Sequence, residues 1–506
     1  MIKVKKPKRW VPRVYQMVAV CFLLMRTRSG LFLDPGLGKT AITLCVLNIL
    51  KRLGGKKNKP ATLLICPKSV MWLTWPNEIR KWSNFNNLKY CVLHGDMKEY
   101  LLWNAKADIY LMNPAGLPWL SEALLKGLRR KRPLPFNILW VDESTKFKSH
   151  NAKTLFLVLR DMLPLFKRRH IMTGTPTAKA YEDLWSQVYL MDRGEALGAE
   201  YKDFRNEYFN NLASLMTKAE RKKLDRKDFR WGKYVPRAGI KLEEVLSKAI
   251  SHLVLNMSEE DYLDLPPITF NQIRVQLPPE AQKHYNQLER DAITYVEEEK
   301  VGNQNAIGAM IPCWQVANGC VYEAIPEHLT DEELKAFKKT RKVLKSHTHK
   351  LDALVNLVDE LNGKPLFIVY WFKHDLQSIR KALGNIPNLG ADTGRAETVQ
   401  IERDWNSGKI PLLAGHPDRI AHGLNLQDGP GRDMAFYSLF WSPENRRQAI
   451  KRIHRSGVDS RVTIHDIIAV DTIDEVMVSR WASRQNAEKK LRNLLNEYYR
   501  NKTNGA

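Results

Sequence analysis

A short apolar run, Leu31-Phe32-Leu33, leads directly into Asp34-Pro35-Gly36-Leu37-Gly38-Lys39-Thr40, and Thr40–Arg52 then carries the apolar period of a helix. No other feature constrains the chain as tightly. Glycines between a strand and a helix let backbone N–H groups turn inward against an anion, and the helix N-terminus adds positive potential at the same point. In such a loop Gly36 and Gly38 make the turn, Lys39 reaches the outer phosphates of a nucleoside triphosphate, and the Thr40 hydroxyl binds Mg²⁺. The full pattern G-x-x-x-x-G-K-T is not met, because Leu33 stands where its first glycine would be. Alone, the segment also reads as a glycine turn with no ligand.

The rest of the chain sets out a sheet around this unit. A helical pattern covers Arg13–Met25, Ala61–Cys66 reads as a strand, and Val70–Trp82 reads as a helix. Tyr90–Leu93, Ile109–Met112, Ile138–Val141 and His170–Met172 continue the apolar runs. Strands alternating with helices predict a parallel sheet covered on both faces. The pattern stops near Met191, and residues 194–256 read as helical and charged. Asp261–Pro267 reads as a connector and residues 279–350 as a second helical stretch. Strands then return at Leu366–Val369, Leu412–Ala414, Ala435–Leu439 and Val462–Ile468. The fold class predicted is α/β, with two parallel-sheet lobes in tandem, each carrying a helical insertion. The boundaries are 1–260, 261–480 and a helical tail at 481–506. With 44% hydrophobic residues the chain has enough apolar surface for two cores. The 80 basic and 55 acidic side chains leave a formal charge of +25, which suits a polyanionic partner, most often nucleic acid. The six cysteines include no CxxC pair, which argues against a zinc ribbon or disulfide framework and fits a reducing cytoplasm. No apolar run reaches the roughly 18–20 residues of a membrane span. The basic start, Met1–Trp10, is not followed by a secretory core and cleavage site.

A second chemical requirement is met at Ile138-Leu-Trp-Val141-Asp142-Glu143-Ser144-Thr145. A carboxylate at a strand end can hold Mg²⁺ through its water shell, which is the role for Asp142, and its neighbour Glu143 can polarise an attacking water. An Asp-Glu pair by itself is usually an ordinary loop. This one gains meaning from its place about a hundred residues after Lys39, at the end of a strand that could neighbour the phosphate loop.

DPGLGKT, then VDEST, then Thr173-Gly174-Thr175-Pro176, then Gln448-Ala-Ile-Lys-Arg452-Ile-His454-Arg455 resemble, in that order, the motifs of superfamily 2 helicase-like ATPases. More specifically they resemble those of the Swi/Snf-related DNA translocases. Tyr15-Gln16 resembles the adenine-reading motif, Cys66-Pro67-Lys68-Ser69 with Trp75, Glu78 and Trp82 the next, and Asn113-Pro114 the one after. Tyr370-Trp371-Phe372 and His422-Gly423-Leu424-Asn425-Leu426 resemble motifs of the second lobe. The compact form, with GEALG at 194–198, resembles members encoded by bacterial viruses, which implies a host bacterial cytoplasm. The resemblance covers nearly the whole chain and implies two RecA-like lobes, ATP and Mg²⁺. By it, Lys39, Thr40 and Asp142 hold the triphosphate and metal, Glu143 is the general base, and Gln16 meets adenine. Gln448, Arg452 and Arg455 approach the γ-phosphate from the second lobe, where an arginine fork suits phosphate. Lys68, Asn113, Thr173 and Asn425 would face nucleic acid. Thr173 and Thr175 sit where the family couples hydrolysis to movement.

Two segments depart from the pattern. Arg455-Ser456-Gly457-Val458 lacks the glutamine common in relatives, and Gly415-His416-Pro417 replaces a Ser/Thr-rich segment. Neither removes a residue that hydrolysis needs. Residues 217–237 carry nine basic and three acidic side chains, with Phe229, Trp231 and Tyr234 interleaved. Lys222, Lys223, Arg226 and Arg230 could follow a phosphate backbone there; a solvated helical face is the plainer reading. Lys335–Lys350, with Lys338, Lys339, Arg341, Lys342 and Lys345, is read in the same way. The tryptophans, among them Trp140, Trp185 and Trp405, read as core. The expectation is an ATP-driven, monomeric translocase on duplex or branched DNA. A strand-separating helicase and a DNA-binding module with a relic ATPase are the alternatives.

Overall fold

The computed structural model describes residues 7–55, 60–147, 155–174, 176, 181–216, 234–298, 308–323, 330, 332–333, 337, 340–420, 424–455 and 457–482. Thr175, Lys222, Lys223, Arg226, Phe229, Arg230, Trp231, Lys335, Lys338, Lys339, His422, Gly423, Ser456 and the tail from 483 onward lie outside the described residues. The described residues form two compact units. One draws on 1–209 and 236–264, the other on 210–235 and 265–483.

The sheet of the first unit contains β1 (Arg28–Leu33), β2 (Thr62–Ile65), β3 (Tyr90–Val92), β4 (Ile109–Met112), β5 (Ile138–Asp142), β6 (Arg168–Thr173) and β7 (Val254–Met257). The strand order is β3-β4-β2-β5-β6-β1-β7 and every pairing is parallel. β2, β4 and β5 are buried along their whole length, which is why they read as unbroken apolar runs rather than alternating ones. The register sets Phe32 opposite Thr173, Asp142 opposite Met172, and Leu33 opposite Met257. The phosphate-loop sequence, Asp142 and Thr173 therefore leave the sheet at one level on one edge.

Two expectations need correction here. β5 does not neighbour β1, because β6 lies between them; at about 4.8 Å per strand the two are roughly 10 Å apart. Val254–Met257, read as part of a helical region, is instead a buried strand beside β1. A four-residue buried strand shows neither period, so its neighbours' charged helical pattern masks it.

The second unit repeats the architecture with β8 (Ile268–Val275), β9 (Leu366–Val369), β10 (Asn388–Leu389), β11 (Leu412–Gly415), β12 (Asp433–Phe436) and β13 (Val462–Ala469). Their order is β8-β13-β12-β9-β11-β10, again all parallel. β8 was not expected. It is an edge strand with Phe270 and its polar neighbours exposed, so it has no buried run to announce it. Both units are open parallel sheets with helices, so the α/β class with two parallel-sheet lobes stands. Trp140, Trp185 and Trp405 are buried as expected. Trp405 lies so close to Gly431 that a Cβ there would come within 2.1 Å of its indole. Among the described residues no helix is long and apolar enough to cross a membrane. All six cysteines are free thiols.

Lys350 overturns its surface reading. Its side chain is fully buried, with Nζ 2.6 Å from the Asp474 carboxylate and 2.9 Å from Asn318 Oδ1. Asp474 also accepts from the backbone N–H of Ala469. This pair clamps the helix His349–Glu360 to the end of β13, while Lys342 and Lys345 remain exposed. Removing one partner of a buried ion pair leaves an uncompensated charge, at a cost of about 3–5 kcal/mol. Lys350→Met is therefore expected to lower the urea-unfolding midpoint of the second unit sharply. Lys345→Met should stay within about 0.5 kcal/mol of the parent.

Candidate active site

The phosphate loop is built from two glycines that no other residue replaces without strain. Gly36 and Gly38 have φ of 100° and 86°, the left-handed region, and Gly38 caps the helix Lys39–Leu53. A Cβ on Gly38 would also meet Gln16 Nε2 at 2.5 Å. Gln16 lies on the helix Val14–Leu24. It donates to the Leu37 carbonyl at 3.1 Å and accepts the Arg13 N–H at 3.0 Å, so its amide ties the loop to the start of that helix. Asp34, beside β1, is buried and accepts the N–H of Glu259 at 3.0 Å, tying the loop to the chain after β7. Lys39 Nζ donates to the carbonyls of Leu33 and Asp34 at 2.7 and 3.4 Å, which holds the ammonium inside the cradle. Thr40 is half-buried at the first turn of the same helix.

At the end of β5, Asp142 is buried, and burial pushes its carboxyl up to about 6. Lys39, the indole N–H of Trp75 and the backbone N–H of Glu143 pull it back down. Trp75 Nε1 donates to Asp142 Oδ2 at 3.1 Å from a fully buried position on the helix Thr74–Lys81. The sequence places Trp75 in a motif but gives it no partner; only the folded chain shows which carboxylate it meets. A desolvated carboxylate opposite Lys39 and beside the glycine cradle fits a divalent cation. Asp142 and Thr40 are the side chains that would hold Mg²⁺. Glu143 follows with φ of 56°, a conformation that costs a non-glycine residue about 1–3 kcal/mol. Its carbonyl accepts the N–H of Lys146 in the short turn Ser144–Phe147.

In the second unit, Gln448, Arg452 and Arg455 lie on and just after the helix Pro443–Ile450. Ser442 caps that helix by accepting the Asn445 N–H. Arg446 pins it to β13 through two hydrogen bonds to Asp466, at 2.6 and 2.8 Å, with its guanidinium 4.1 Å from the Trp481 ring and 4.4 Å from Phe436. Arg452 donates to the carbonyls of Leu424 and Gln448, and Arg455 donates to Asn425 Oδ1 at 2.9 Å. Asn425 is in turn held by Glu402, which accepts its backbone N–H. The fold thus gathers Arg452, Arg455 and Asn425, expected from two separate motifs, into one cluster. Gln448 is buried beside it.

The nucleic-acid candidates divide. Lys68 and Asn425 are exposed, and Asn113 is half-buried at the end of β4. Thr173 is fully buried at the end of β6, so its side chain is in the core rather than on a surface that nucleic acid could reach. His416 packs against Trp371, with ring centroids 5.0 Å apart, in keeping with a strand-end polar residue.

The SNF2-related domain family matches residues 15–318, more than half of the chain. A putative protein, p41, of Acyrthosiphon pisum secondary endosymbiont phage 1 is 32% identical over 98% of this chain and 100% of its own length. The chain belongs to the SNF2-related family. Human ZRANB3, described as a DNA annealing helicase and endonuclease, is 24% identical over 92% of this chain but only 39% of its own length. A SWI2/SNF2 ATPase core from Sulfolobus solfataricus, solved with double-stranded DNA, aligns over 96% of this chain and 94% of its own at 20% identity, with a TM-score of 0.40. Membership in this ATPase family agrees with the phosphate loop and the Asp142-Glu143 pair as the structure arranges them.

Asp142 carries a pH signature. Its folded-state carboxyl is raised above the ordinary value, so between about pH 4 and 6 the folded chain binds more protons than the unfolded one. Its contribution to stability is therefore present at low pH and lost as pH rises through 6. Asp142→Asn is expected to stabilise the protein free of nucleotide and metal at pH 7.5 by up to about 3 kcal/mol, with the gain shrinking toward pH 4. Urea unfolding of both proteins at the two pH values measures it.

Proposed function

We propose that this protein is a Mg²⁺-dependent ATPase that couples hydrolysis to movement on duplex or branched DNA, remodelling junctions or protein–DNA complexes. The observation that carries the reading is the meeting of the Gly36–Thr40 cradle, Asp142 and Glu143 on one edge of the first sheet. Backbone N–H groups of the cradle and Lys39 neutralise the β- and γ-phosphates. Thr40 and Asp142 hold Mg²⁺, which when bound spreads charge off the phosphate oxygens. Glu143 takes a proton from the attacking water, which displaces ADP at the γ-phosphorus. Gln16 positions the adenine end. Arg452 and Arg455, with Gln448, supply cations for the γ-phosphate, so that turnover depends on them. DNA as the partner is supported by the +25 charge, by exposed Lys68 and Asn425, and by the relationship to a DNA annealing helicase.

The direct test is steady-state ATP turnover with no nucleic acid, single strand, duplex and branched duplex. Duplex should stimulate at least as well as single strand; a rate indifferent to every nucleic acid would remove the coupling. Glu143→Gln should bind nucleotide as the parent does and retain less than ~10% of its turnover, because an amide cannot accept the proton.

Arg455→Ala should leave nucleotide affinity near the parent value and cut DNA-stimulated turnover by roughly 10²-fold. Arg455→Lys should not restore it, since a point charge lacks the fork. Parent-like turnover in Arg455→Ala would take the finger role away from this residue.

A further inference from the structure

Gln187 lies on the helix Asp183–Asp192 and is fully buried. Its Nε2 donates to the carbonyls of Pro176 and Asp183, at 2.7 and 2.8 Å. Its Oε1 accepts from Ser144 Oγ at 2.7 Å. The two carbonyls can only accept, so the amide has one possible orientation, with nitrogen toward them and oxygen toward Ser144. Both N–H bonds and the carbonyl are thus used, in a place from which water is excluded. Ser144 is itself fully buried and immediately follows Glu143.

Glu143 stands in a strained left-handed conformation, which persists only where its surroundings over-determine it. On its N-terminal side Trp75 fixes Asp142. On its C-terminal side Ser144 is anchored to Gln187. The other end of the same amide holds the carbonyl of Pro176, in the segment that follows β6, the strand between the base and the phosphate loop. We propose that Gln187 is a positioning residue for Glu143: it fixes the general base relative to Pro176 and the helix Asp183–Asp192, acting through the Ser144 hydroxyl. The proposal rests on the reading of Glu143 as general base. Gln187 touches no substrate, so its loss should act on the chemical step and spare nucleotide binding. A shift of about 1 Å in a reacting group can cost on the order of 10²-fold in rate.

The experiment compares ATP turnover with saturating duplex, nucleotide titration and thermal melting for the full chain. The variants are Gln187→Met, Ser144→Ala, Ser144→Thr, the double variant Ser144→Ala/Gln187→Met, and Glu143→Gln as control. Gln187→Met and Ser144→Ala are each expected to lower kcat about tenfold or more, with KM for ATP and nucleotide Kd within about twofold of the parent. Ser144→Thr, which keeps the hydroxyl, should retain most of the turnover. The double variant should lose no more than the worse single one, because both break one link. Parent-like kcat in Gln187→Met, or losses that multiply in the double variant, would overturn the proposal. If Gln187→Met fails to fold, the contrast between Ser144→Ala and Ser144→Thr decides: equal kcat in the two overturns it. A parent chain without ATP turnover, or a Glu143→Gln variant with full turnover, removes the base and this proposal together. Correct controls with an indifferent Ser144→Ala remove this proposal alone.

Discussion

In a parallel sheet every strand ends at the same edge, and the chemistry of this protein depends on that single constraint. β1 runs into the glycine loop, β5 ends in Asp142, and β6 ends between them at Thr173. Adjacent strands are about 4.8 Å apart, so the loop and the carboxylate are separated by one strand's width on either side of β6. Inserting β6 there also gives the site a shared wall, and Pro176, which comes after it, is joined to Ser144 through Gln187.

The charges of the site are arranged against their own stability. Asp142 is buried beside Lys39, and burial lifts its carboxyl because the desolvation of a carboxylate outweighs the attraction of one ammonium and one indole N–H. An acid in that state is poised for a divalent cation. Glu143 stores a second cost in its backbone. Around them lie apolar strands buried on both faces, the hydrogen bond that Trp75 donates to Asp142 and the one that Ser144 donates to Gln187. The second unit meets the same problem differently. Two of its buried pairs, Lys350 with Asp474 and Arg446 with Asp466, lie within hydrogen-bond distance. They hold helices in place, and the helix that carries Gln448 is one of them.

Much of this was legible before folding. The strand–GLGKT–helix unit and the DEST segment announce themselves because the residue types that handle phosphate and metal are few and must be contiguous along the chain. The buried strands Thr62–Ile65, Ile109–Met112 and Leu366–Val369 carry runs of apolar residues with no polar alternation, since both faces meet helices. Trp140 was readable as core for the same reason, and Trp405 as a packing residue of a helix. Strands Val254–Met257 and Ile268–Val275 were not readable. One is too short to show a period, and the other is a polar edge whose partner, β13, comes nearly two hundred residues later.

The sequence by itself determined which residues could bind phosphate, hold a cation or accept a proton, because those powers belong to side chains and to glycine's freedom at φ values of 86° and 100°. Only the tertiary structure decided how they are held. That Trp75 meets Asp142, that Gln187 joins Ser144 to Pro176, that Arg455 meets Asn425 and that Lys350 is a core residue are contacts between segments far apart in the chain or turned by a helix. Hydrogen bonds act over about 3 Å in space, and no spacing along the sequence encodes them.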